Sequence, residues 1–127
     1  MQLIKKGQSI DLVKKDGGGL NEVAVGLGWG KKPRLLWGSK DVDLDASCIL
    51  YNSNKVAVDV VFFQKLSSED GSIIHSGDDR GGGGSEQEPN EVISVFLNQV
   101  PENVQSIVFV VNSFSGETFS GIPFAFC

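Results

Sequence analysis

From Asp41 to Tyr51 the chain alternates side-chain character without a slip. Asp41, Asp43, Asp45 and Ser47 fall on one side, and Val42, Leu44, Ala46 and Cys48 on the other. A period of two belongs to an extended strand, whose successive Cβ atoms point to opposite faces. Nowhere in the 127 residues does apolar character recur with a helical period over a window of about 11 residues. The chain is therefore committed to strands. The same reading predicts them at residues 3–5, 10–14, 21–28, 55–66, 73–75, 92–97, 105–114 and 118–126, the last interrupted by Pro123. Residues 55–66 are apolar enough for a central strand, and residues 105–114 read as buried. Turn signals at Gly7-Gln8-Ser9, Asn52-Ser53-Asn54, Asp70-Gly71 and Ser115-Gly116 separate them. Roughly eight to ten strands with turns about every 8–12 residues predict an all-β, two-sheet β-sandwich with long loops at one end. The length suits a single domain, residues 1–127.

Two acidic clusters stand out against this scaffold. One is the aspartate face of residues 41–45, where three like charges on one strand face repel unless a cation or lysines neutralise them. The other is residues 77–91, GDDRGGGGSEQEPNE, with Asp78, Asp79, Glu86, Glu88 and Glu91 against Arg80. This segment carries −4 of the chain's −5. Its four consecutive glycines open backbone angles closed to other residues, so that carboxylates and carbonyls can converge on a hard cation. The D-x-D-x-D spacing from Asp41 is not an EF-hand loop: its sixth position is Ala46, its twelfth is Asn52, and no helices flank it. Calcium suits an all-oxygen donor set, whereas magnesium demands rigid octahedral geometry that a polyglycine loop does not give. His75, the single histidine, reads as structural, because a transition-metal site needs more nitrogen or sulfur.

Several functions are excluded. An acidic chain, pI about 4.7, lacks the basic face that nucleic acids require. Gly26-Leu-Gly28-Trp-Gly30 is followed by Lys31-Lys32, so it is neither a phosphate loop nor a dinucleotide fingerprint. Its glycines read as sites of close packing within a strand. No apolar run reaches membrane-spanning length, and the N-terminus lacks the apolar segment of a secretory signal. Cys48 and Cys127 do not make a disulfide framework. Together these features place the chain in the cytoplasm. It has no nucleophile elbow and no histidine-based arrangement for acid–base work, so an enzyme is not expected.

Val25-Gly-Leu-Gly-Trp29, Val42-Asp-Leu-Asp-Ala-Ser47, Asp70-Gly-Ser72, His75-Ser-Gly-Asp78 and Val100-Pro101 with Ile107-Val-Phe109 follow one another in the order that resembles the bacterial TerD family of tellurium-resistance and stress-response proteins. Val111-Asn-Ser-Phe114 and Ala125-Phe-Cys127 are similar to its TerZ branch. The resemblance implies a calcium-binding β-sandwich with two metal sites and no enzymatic activity. It also implies a role in tellurite resistance within a stress-response assembly of other proteins, associated with membranes. Carried over, the metal ligands come from Asp41, Asp43, Asp45, Asp78, Asp79, Glu86, Glu88 and Glu91. The chain departs from the family in its Gly77-Asp78-Asp79 loop start, in its glycine run, and in Pro89-Asn90-Glu91 where the family closes on three acids. It also stops at Cys127, where the family continues for several strands; an open sheet edge left there would pair with another chain, giving a homo-oligomer. Two alternative roles follow from the same residues. One is a metal-free protein-interaction domain. The other is a calcium-dependent binder of membrane surfaces through the basic-apolar loop of Lys31, Lys32, Arg34, Leu35, Leu36 and Trp37.

Overall fold

The structure is a computed structural model that describes residues 7, 9, 19–33, 36, 38–83 and 87–127. The strands expected at 3–5 and 10–14 lie outside the described residues, as do Glu86, Arg34, Leu35 and Trp37.

Among the described residues nine strands follow in chain order: β1 (Glu22–Trp29), β2 (Lys32–Pro33), β3 (Ser39–Lys40), β4 (Leu44–Tyr51), β5 (Ala57–Val61), β6 (Ile73–His75), β7 (Glu91–Phe96), β8 (Ser106–Ser113) and β9 (Ala125–Phe126). They form a four-stranded sheet in the order β6-β7-β1-β9, a three-stranded sheet in the order β5-β4-β8, and a small β2-β3 ribbon. Every pairing is antiparallel. The two larger sheets make an all-β sandwich, as the alternation and turn spacing predict. No α-helix occurs among the described residues, and no helix is long and apolar enough to cross a membrane.

The core fills the space between the sheets. β4 contributes Leu44, Ala46, Cys48 and Leu50 from its apolar side, with Val42 just before it. Leu27, Trp29, Ile73, Ile93 and Val95 meet them from the other sheet. Trp29 is fully buried, and its indole N–H donates to the Val42 carbonyl at 2.7 Å, which satisfies the polar end of an otherwise apolar side chain. The glycines of β1 serve packing: a methyl group at Gly28 would overlap the Phe126 ring of the neighbouring β9. Both cysteines are free, Cys48 buried and Cys127 exposed.

Three expectations need correction. Residues 55–66 do not form a long central strand. Among the described residues β5 spans five residues at an edge of its sheet, and Val56, Val58 and Val60 are exposed. Lys55, at φ +59°, sits in the left-handed region before it, and a short Phe62–Lys65 bridge ends the run. The sheet's central strand is β4, paired on both sides. β8 is likewise an edge strand among the described residues, and none of its residues is fully buried. Residues 118–126 form a 3-10 turn (Phe119–Gly121) and the two-residue β9 rather than one extended run. Apolar composition marks contact with a half-buried sheet surface; it does not report how many neighbours a strand has.

Candidate metal centre

Three aspartates converge at one end of the sandwich. Asp45 lies within β4 and Asp43 just before it, two residues apart and so on one side of the extended chain. Asp78 follows β6, in the loop that returns to β7. Each of the three offers a carboxylate oxygen lying within 4.8 Å of the other two. The backbone on either side is pinned. The Phe114 N–H donates to the Asp43 carbonyl at 2.9 Å, and the Asp43 N–H donates to Ser115 Oγ at 3.2 Å. With Phe63, Gln64, Arg80 and Phe114 the three acids line a cleft of about 350 Å³.

Two carboxylate oxygens in this cleft lack partners. Asp43 Oδ1 and Asp78 Oδ1 are buried and accept no hydrogen bond. Asp45 is 8% exposed. Arg80, the cation at the site, donates through Nε to Asp78 Oδ2 at 2.8 Å. The electrostatics follow. Burial pushes the Asp45 carboxyl up to about 6, helped by the neighbouring Asp43, Glu91 and Asp78 charges. Burial also raises Asp43, as does Asp78, while Arg80 pulls it back. At an effective dielectric near 20, two like charges about 4–5 Å apart repel by roughly 3–4 kcal/mol.

The other described acids expected to bind metal sit elsewhere. Asp79 is turned into its own loop. Oδ1 accepts the N–H of Gly81 (2.9 Å) and of Gly82 (3.0 Å), and Oδ2 accepts the Asn90 amide at 3.0 Å. Burial works against its ionised form, but these donors and Lys31 hold the carboxyl below its usual range. Glu91 is fully buried behind the cluster. Its Oε2 accepts the Ala46 N–H at 2.8 Å and its Oε1 the Asp79 N–H at 3.1 Å. Asp41 is exposed and paired with Lys31 at 2.8 Å. Glu88 is exposed, and Glu86 lies outside the described residues. Lys31 and Lys32 of the basic loop are engaged in ion pairs, with Asp41 and with Glu117.

His75 supports the cluster from below. Its ring is buried, with Nε2 2.9 Å from the Ala46 carbonyl and Nδ1 accepting the Gly77 N–H at 3.0 Å. These partners assign the proton to Nε2. The Glu91 carboxylate, 3.6 Å from Nε2, raises the His75 pKa against the opposing effect of burial. Asn90 ties the loop to β1, its Oδ1 accepting the Trp29 N–H at 3.0 Å. Sequence reasoning does not find Asn90, Gln64 or Phe114. None belongs to a charge pattern, and each reaches the site through packing.

An antiparallel β-sandwich with a three-carboxylate cleft at its rim defines a class: a small all-β domain whose candidate chemistry is cation binding. A family model for the TerD domain matches residues 1–127, and the chain belongs to that family. It is 39% identical over 133 residues to the tellurium resistance protein TerZ of Serratia marcescens, covering 100% of this chain and 67% of that protein. It is 38% identical over 120 residues to general stress protein 16U of Bacillus subtilis (strain 168), covering 92% of this chain and 60% of that one. With the tellurium resistance protein TerD of Serratia marcescens the identity is 39% over 111 residues, covering 85% of this chain and 55% of the relative. The chain thus spans between 55% and 67% of the length of these relatives. The crystal structure of SAV2460, a protein of unknown function, superposes with a TM-score of 0.68 at 24% identity, covering 85% of this chain and 64% of that one. That likeness concerns the fold.

Proposed function

We propose that this chain is a calcium-binding, non-enzymatic stress-response module associated with tellurite resistance, acting in the cytoplasm as an assembly or interaction domain with other proteins. The observation that carries the reading is the convergence of Asp43, Asp45 and Asp78, with two buried carboxylate oxygens left unpartnered. A buried polar atom without a partner costs about 1–3 kcal/mol, and more when charged. Three carboxylates in one cleft, two of them with an unpartnered buried oxygen, fit a cation that they would jointly hold. The donors are all oxygen, the set that a hard cation prefers, and calcium takes six to eight of them at about 2.3–2.6 Å. Oxygens on opposite sides of such an ion stand up to about 5 Å apart, and the three here lie within 4.8 Å of one another. When bound, the ion would supply charge neutralisation and a rigid junction between β4 and the loop after β6. The tellurium and stress names of the relatives support the biological setting.

Calorimetric titration of metal-stripped protein with calcium, and separately with magnesium, tests the reading. A saturable calcium isotherm, lost in Asp45→Asn and kept in Asp41→Asn, is the expected result. No heat and no structural response at millimolar calcium would overturn it.

A further inference from the structure

Among the described residues, Arg80 is the only basic side chain lining the aspartate cleft. Its hold on the cluster is one-sided. Nε donates to Asp78 Oδ2 at 2.8 Å, yet the Arg80 side chain is 81% exposed where that of Asp78 is 18% exposed. The acid is set in the wall of the cleft and the cation lies in solvent. Asp78 Oδ1, the other oxygen of the same carboxylate, is buried and accepts no hydrogen bond. Asp78 thus gives one oxygen to Arg80 and leaves the second without a partner. Arg80 also acts beyond Asp78. Burial and then Asp78 raise the Asp43 carboxyl, and Arg80 pulls it back.

The backbone on both sides of Arg80 is held. The Asp79 N–H donates to Glu91 Oε1 at 3.1 Å, and the N–H groups of Gly81 and Gly82 donate to Asp79 Oδ1 at 2.9 and 3.0 Å. The Arg80 side chain can therefore turn away about its own bonds without moving the loop. An exposed pair of this kind is weak, because water and salt screen it and it orders a long flexible stem. A divalent ion on the free side of the Asp78 carboxylate would face the guanidinium as a like charge, roughly 6 Å away or less. Of the two cations, the solvated one yields.

We propose that Arg80 is a tethered competitor for the metal ion: it neutralises the cleft when no metal is bound, gives up Asp78 when calcium enters, and so sets the calcium level at which the site fills. This rests on the calcium reading of the cleft and adds to it a residue that works against binding. Such a cation relieves the repulsion among Asp43, Asp45 and Asp78 in the metal-free protein while leaving Asp43 Oδ1 and Asp78 Oδ1 open. Lys31 does not serve the same purpose, since it is committed to Asp41 at 2.8 Å.

Calorimetric titration of the metal-stripped full chain with calcium chloride tests this, alongside thermal melting in metal-free buffer. Arg80→Gln removes the charge and keeps a long polar side chain. It is expected to bind calcium roughly tenfold tighter, the effect of losing one like charge about 6 Å from a divalent ion in a water-exposed setting. Without metal it is expected to melt below the unmodified protein. Arg80→Lys should restore both values. Lys55→Gln makes the same change in net charge at an exposed turn beyond the far end of β4 from Asp45, and should alter neither. A purely structural role for Arg80 would lower stability and affinity together, so the opposite signs are the signature. Equal or weaker binding by Arg80→Gln, beside a clear isotherm for the unmodified chain, overturns the proposal and leaves the calcium site standing. No isotherm in either protein overturns both. If Arg80→Gln fails to fold, the Arg80 Nε–H resonance in NMR of the unmodified chain decides. A resonance that shifts with calcium and gains exchange with water supports displacement; one that stays hydrogen-bonded at saturation overturns it.

Discussion

Glu91 Oε1 accepts the backbone N–H of Asp79 at 3.1 Å, while the other oxygen of the same buried carboxylate accepts the N–H of Ala46 at 2.8 Å. One side chain from the start of β7 thus clamps the acidic loop to the strand that carries Asp45. Asp79 in turn holds Gly81 and Gly82 through its own Oδ1. The three carboxylates of the cleft are brought together by two acids that do not themselves line it.

Glu91→Gln tests the clamp at nearly constant volume. The amide keeps one acceptor and presents an NH2 group to the second backbone donor, leaving that N–H unsatisfied in a fully buried place. We expect a loss of about 1–3 kcal/mol in chemical denaturation, with a larger loss for Glu91→Ala. A change below a few tenths of a kcal/mol would show that the clamp contributes nothing.

Calcium at a hundredfold excess over its dissociation constant is expected to stabilise the domain by about 2.7 kcal/mol. At roughly 4 °C per kcal/mol for a domain of this size, the melting temperature rises by about 10 °C. A chelator reverses it. Asp45→Asn and Asp78→Asn each remove a converging carboxylate and are expected to abolish most of the shift. Asp41→Asn, which breaks the exposed pair with Lys31, leaves it intact. Equal losses in all three variants would place the ion elsewhere.

The raised carboxyl of Asp45 makes a signed prediction for pH. Its folded value, about 6, lies above its ordinary value of 3.8. The native state therefore holds this proton more tightly than the unfolded chain does. The resulting stability is complete below about pH 4 and is lost as pH rises through 6. The lowered carboxyls of Asp59, Asp70 and Asp79 work in the opposite sense, losing stability as pH falls. Comparison with Asp45→Asn isolates the one group. In metal-free buffer the variant should gain on the unmodified protein between pH 4 and 7, by at most about 3 kcal/mol at 1.36 kcal/mol per pKa unit. With saturating calcium the order should reverse. A pH-independent difference would show that Asp45 titrates normally.

Much of this fold was legible because the alternation from Asp41 to Cys48 states both a strand and its buried side. That side is Val42, Leu44, Ala46 and Cys48, all now in the core. The same alternation puts Asp43 and Asp45 on one face, and Asp78 was marked by the charge of its loop. The supporting layer was not legible. Nothing in Pro89-Asn90-Glu91 distinguishes a glutamate that is fully buried from the exposed Glu88 nearby, since burial depends on β1 and β4 closing over it. The edge positions of β5 and β8 escaped for a related reason. Their outer sheet face keeps exposed valines such as Val60 and Val108, so hydrophobicity overstated their burial.

Gly82 offers the sharpest test of what the glycine run does. Its backbone sits at φ +61°, and a Cβ there would overlap the indole of Trp29. The same indole donates its N–H to the Val42 carbonyl, one residue from Asp43. A side chain at this position must therefore push the loop off β1 or displace a fully buried tryptophan from the strand that leads into the aspartate cluster. Gly38, at φ +81° with open space where its Cβ would stand, carries the backbone strain without the overlap. Gly38→Ala is expected to cost about 1 kcal/mol, and Gly82→Ala about 1–3 kcal/mol more. With Trp37→Phe as background, Gly82→Ala should also shift the Trp29 emission to the red and weaken calcium binding, whereas Gly38→Ala should do neither. Equal costs and unchanged emission in the two variants would mean that the glycines provide turn geometry alone and that Trp29 does not brace the loop.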